Sequence, residues 1–68
     1  MIKYTLTDDY IELYKLIKVL DLVDSGGDAK QLISEGYVKK NDALELRKRA
    51  KIIKGDKIQI ADVTILVK

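Results

Sequence analysis

The densest chemistry in this 68-residue sequence is cationic: Arg47-Lys48-Arg49-Ala50-Lys51 sets four positive side chains into five positions. Drawn out as a strand, the run places Arg47, Arg49 and Lys51 on one face, about 7 Å apart, with Lys48 on the other. That interval is close to the spacing of successive phosphates along a nucleic-acid strand, roughly 6 to 7 Å. The arginines add a planar fork that clasps a phosphate through paired hydrogen bonds. A solvated edge strand whose charge discourages aggregation accounts for the same residues equally well.

Ser25-Gly26-Gly27-Asp28 is the second candidate. Free N–H groups and the helix dipole favour an anion at such a start. The longer glycine-rich loop and the following Lys-Ser/Thr of a nucleotide-binding loop are missing, however, and Asp28 puts a negative charge where a phosphate would sit. A helix cap is the simpler assignment, and Lys30, one turn on, faces solvent in the helical pattern. Of the four tyrosines, Tyr4, Tyr10 and Tyr14 fall on apolar stripes, where aromatic rings fill a core, while Tyr37 is left unassigned.

Catalysis is not expected. The chain has no cysteine, which excludes disulfides and thiolate metal sites, and no histidine, which removes the commonest general base and the commonest metal ligand. Ser25 and Ser34 have no imidazole to activate them, and Asp8, Asp9 and Glu12 are explained as acids at a helix start. No catalytic residue, metal, cofactor or small-molecule substrate is therefore assigned.

Net charge is only +2, but its distribution is uneven. Residues 1–37 carry four lysines against seven acids, a balance of −3, whereas residues 38–57 carry eight cations against three acids, a balance of +5. One third of the chain thus holds the positive field. No apolar run approaches the ~20 residues that cross a bilayer, and the first residues lack the apolar stretch of a signal peptide. A cytoplasmic protein with no membrane partner is expected.

The elements that must position these residues follow from periodicity. Ile2, Tyr4 and Leu6 alternate as a short strand. Thr7-Asp8-Asp9 opens a helix expected from about Asp9 to Leu20, with Tyr10, Leu13, Tyr14, Ile17 and Leu20 inward and Ile11, Leu16 and Val19 widening the stripe. Ser25 and Asp28 form a capping box for a second helix that buries Ala29, Leu32 and Ile33 and ends at Gly36 in the left-handed conformation. The period then becomes extended: Tyr37 to Lys40, a tight turn at Asn41-Asp42, a short strand through Leu44 and Leu46, a turn at Lys54-Gly55-Asp56, and two alternating runs reversed at Ala61-Asp62. Nothing marks a linker. The expectation is a single α+β domain over residues 1–68, with two adjacent short helices packed on a small, mostly antiparallel β-sheet.

Between Glu12 and Asp56 the order of signals resembles a known family. Leu20-Asp21-Leu22-Val23, Ser25, Ala29, Leu32-Ile33, the stretch Glu35-Gly36-Tyr37-Val38-Lys39-Lys40-Asn41 and Gly55-Asp56 resemble the pattern of the S4 RNA-binding domain, built on the alpha-L motif. Residues 25–30 and 45–52 are similar to its short stand-alone bacterial members of the YbcJ and YaaA type. Gly26 replaces an arginine that many members carry, and Asp42 replaces a glycine.

The resemblance implies a structured RNA partner, ribosomal RNA or a tRNA-like hairpin, and through it the ribosomal particle, with a role in ribosome assembly or quality control. It implies RNA contacts at Lys30, Arg47, Arg49 and Lys51, supported by Lys39, Lys48 and Lys54. The alternative is a protein-interaction module whose basic strand docks an acidic protein surface.

Overall fold

The computed structural model describes residues 1–68. Strand β1 (Ile2–Tyr4) leads to a two-residue strand β2 (Ile11–Glu12), and helices α1 (Leu13–Val19) and α2 (Gly26–Ser34) follow. Five further strands complete the chain: β3 (Val38–Lys40), β4 (Ala43–Leu44), β5 (Lys51–Ile52), β6 (Lys57–Ile60) and β7 (Val63–Val67). The main sheet has the order β1-β7-β6-β3-β4, antiparallel except where β1 runs parallel to β7. Strands β2 and β5 form a separate antiparallel ribbon. This is the expected α+β arrangement.

One core of 13 buried apolar side chains joins the layers. Leu13, Leu16 and Ile17 come from α1, Ala29 and Ile33 from α2, and Val38, Ile58, Ile60, Ile65 and Val67 from alternate positions of the sheet. Leu6 and Ala50 from connecting segments and Ile52 from β5 close it. Alternation decides the two faces: in β3, Val38 is buried, Lys39 is exposed, and Lys40 returns to the core side.

Helix α2 follows its local signals in part: the Ser25 cap forms, but the Ser25 N–H donates no hydrogen bond to the Asp28 carboxylate, and Ala29 and Ile33 are buried while Leu32 is only half-buried. Ser25 is the N-cap, its Oγ accepting the Asp28 N–H at 3.2 Å. At the other end, the Gly36 N–H donates to the Ile33 carbonyl and the Tyr37 N–H to the Leu32 carbonyl, the paired bonds that a left-handed residue (Gly36 φ 87°) makes available. The turn after β3 also follows the chemistry, with φ of 51° at Asn41 and 69° at Asp42. Asn41 is fastened there: its Nδ2 donates to Asp56 Oδ1 at 3.0 Å and its Oδ1 accepts the Lys57 N–H at 2.9 Å.

Helix α1 departs from expectation. It starts at Leu13, four residues later than Asp9, because Ile11 and Glu12 pair with Ile52 and Lys51 in the ribbon. No side chain caps it. Instead the Leu13 N–H donates to the Ala50 carbonyl at 2.9 Å and the Tyr14 N–H to the Lys48 carbonyl at 3.1 Å. A short helix that spends its first amides on a distant carbonyl needs no Ser or Asp at its start. Tyr10 consequently lies outside the helix at 43% exposure, and Val19, at the helix end, is also exposed.

Candidate nucleic-acid interface

The basic run is a turn. Lys48 and Arg49 occupy its corner, the Ala50 N–H donates back to the Arg47 carbonyl at 3.2 Å, and only Lys51 belongs to a strand. The alternating line of Arg47, Arg49 and Lys51 expected from an extended chain is therefore not formed. Ala50, 6% exposed, is the anchor that forbids it: its methyl group enters the core, and its carbonyl and that of Lys48 are held by α1.

The turn nevertheless gathers the expected cations. Arg47, Arg49, Ala50 and Lys51, together with Lys40 from β3, line one open groove of about 450 Å³. Lys30 reaches the same region from α2 through Tyr14. The Lys30 ammonium lies 4.7 Å from the Tyr14 ring centroid and the Arg49 guanidinium 5.6 Å from it, with Lys15 at 5.9 Å. A ring face attracts cations that would otherwise repel one another, so Tyr14 holds side chains from two helices and the turn together. Lys51 sits 5.0 Å from the Tyr10 ring.

Carboxylates lie behind this surface and orient it. Glu45, 7% exposed, accepts from Arg47 Nε at 3.1 Å, from Arg47 Nη2 at 3.2 Å and from the Arg47 N–H at 3.1 Å. The Arg47 side-chain hydrogen bonds hold the Glu45 carboxyl below its ordinary pKa against the opposing effect of burial. Two guanidinium nitrogens are committed inward while the side chain stays 78% exposed, which leaves the remaining N–H groups for an outside anion. Glu12 is shared between Lys15 Nζ at 3.1 Å and Arg49 Nη1 at 3.5 Å. Its hydrogen bond and the nearby Tyr14 raise the Lys15 pKa. Lys40 stands 4.0 Å from Asp56. Lys30 and Lys51 have no acidic partner within 4 Å.

Four of the seven sequence-assigned residues, Lys30, Arg47, Arg49 and Lys51, thus lie in or beside the groove. Lys48 is exposed at the corner but does not line it, Lys54 sits in the separate 53–56 turn, and Lys39 points from the opposite face of the sheet. Sequence reasoning missed Lys40 and Tyr14. For Lys40 the signal was available, since two residues beyond buried Val38 a strand returns to the same face. Tyr14 gave none, because a core tyrosine and one presenting its ring to cations occupy the same helical position.

Two adjacent helices over a mixed sheet, with a cationic groove at the start of α1, define an alpha-L type of architecture. The S4 domain family matches residues 4–68, and the chain belongs to that family. It is 40% identical over 58 residues to YbcJ of Escherichia coli (strain K12), covering 85% of this chain and 83% of that protein. YbcJ of Shigella flexneri matches to the same extent. The solution structure of YbcJ from E. coli, described as revealing an alpha-L motif involved in RNA binding, superposes with a TM-score of 0.75 at 37% identity. The match covers 98% of this chain and 86% of that one.

Proposed function

We propose that the chain binds structured RNA, a ribosomal RNA or tRNA-like hairpin, in the groove of Lys40, Arg47, Arg49 and Lys51, with Lys30 at its margin, and serves ribosome assembly or quality control in the cytoplasm. The carrying observation is the convergence of cations from α2, β3 and the 47–51 turn on one open surface. A-form RNA hides its major-groove edges and presents phosphates and 2′-hydroxyls, so a rigid cationic surface recognises it by shape and charge. Membership of the S4 domain family and likeness to YbcJ support the same reading.

Four to six neutralised phosphates give log affinity a slope of about −3 to −5 against log salt. Reversing Arg47 would set two carboxylates together at Glu45, so neutral replacements away from that pair make the cleaner test. The combined change Lys40→Gln, Arg49→Gln and Lys51→Gln is expected to lower hairpin RNA affinity and flatten the slope by about 3, with little change in melting temperature. Unchanged affinity and slope in that variant would refute the assignment.

A further inference from the structure

On the far side of the sheet from the helices lies a surface that the groove does not use. Register sets Lys39, Gln59 and Thr64 in one row across β3, β6 and β7, and Lys57, Leu66 and Lys3 in the next across β6, β7 and β1. These strand positions carry three lysines and no acid. Asp42 turns toward Lys57 Nζ at 3.0 Å, while Lys3 and Lys39 have no carboxylate within 4 Å.

At the β3 side the face is concave. Gly36, Tyr37, Lys39, Gln59 and Ala61 line a hollow of about 280 Å³. Tyr37 is 58% exposed and takes no part in the core cluster, unlike Tyr4 and Tyr14, which pack against it. The residue after a glycine-terminated helix commonly packs back on the last turn, yet most of this ring is left to solvent. Gly36 and Ala61 contribute little side-chain bulk, so the hollow stays open beside the ring.

A lysine-bearing sheet face by itself is explained by solubility. That explanation does not cover an exposed aromatic ring at a hollow that also holds a cation and an amide. We propose that this hollow binds one unpaired nucleotide of single-stranded RNA. The base stacks on Tyr37, its edge meets the Gln59 amide, and a flanking phosphate is paired by Lys39, with Lys3 continuing the positive track. Stacking on an aromatic ring beside a cationic track is the general means of holding single strands. This second contact goes beyond the groove reading and uses none of its residues.

The test is a titration of the full 15N-labelled chain with tetra-adenylate, followed by NMR. Amide shifts are expected at Gly36, Tyr37, Lys39, Gln59 and Ala61. Tyr37→Ala is expected to weaken binding about tenfold, Tyr37→Phe to retain it, and Lys39→Glu to weaken it with an unchanged melting temperature. A blunt RNA hairpin titrated in parallel reads the groove by shifts over 40–51, so failure of either surface is seen apart from the other. Tetra-adenylate shifts confined to 40–51, no shifts, or full affinity in Tyr37→Ala would overturn the proposal. So would hexaglutamate moving the hollow's amides when tetra-adenylate does not, an outcome that gives the face to an acidic protein.

Discussion

The two helices begin in opposite ways. Helix α2 is capped three residues away by its own Ser25 hydroxyl, whereas α1 is capped by carbonyls of Lys48 and Ala50, more than 30 residues along the chain. The first start is a property of a tetrapeptide. The second exists only once the basic turn has docked, and the docked turn is the same object that presents Arg47 and Arg49. Helix initiation and site assembly are therefore one event at α1 and separate matters at α2.

Placing a charge in the docking point breaks the first case most severely. Ala50→Asp buries a carboxylate in the core and is expected to cost about 3 kcal/mol or more, with hairpin RNA affinity lost in parallel; urea unfolding and a binding isotherm on the same sample check both. A variant that lost stability yet bound RNA normally would show that the turn does not depend on α1.

Glu45→Gln acts inside the turn, loosening Arg47 while leaving Ala50 seated. A loss of about 1 to 2 kcal/mol is expected, and it carries a pH signature. Because the folded Glu45 pKa lies below its unfolded value, the carboxylate contributes stability that is fully present above an unfolded pKa of about 4.3 and is lost as pH falls through the lower folded value. Glu45→Gln should flatten that acid limb of the melting-temperature profile.

The smallest effect belongs to α2. Ser25→Ala should cost roughly 0.5 to 1 kcal/mol by thermal or urea unfolding and leave hairpin RNA affinity within about twofold. A larger drop in affinity would tie α2's start to the site after all.

The same contrast explains what could be read from the chain. Ser25, Gly36 and the Asn41-Asp42 turn act through neighbours, so their roles were legible. The Asp9 start was wrong because Thr7-Asp8-Asp9 is a plausible local cap that lost to a tertiary one. For the site, the identities of Arg47, Arg49, Lys51 and Lys30 were legible as charge, but their arrangement was not. Ala50 looked like a gap in a basic run, yet its burial turns the run into a corner. Leu46 misled in the converse way, being 52% exposed beyond the end of β4.

The parallel pairing of β1 with β7 has a kinetic side. Its register, Ile2 with Ile65, closes a loop of more than 60 residues, whereas the contacts that fix the groove, including the pairing of β3 with β6 that sets Lys40, lie between Glu12 and Ile60. Loop-closure entropy rises only slowly with length, but it is spent before a distant contact gives anything back. β1 is therefore expected to lose hydrogen-exchange protection before the groove does, and equal protection of Ile2–Tyr4 and of residues 47–52 would contradict this. Fraying at that edge would leave the cationic surface intact.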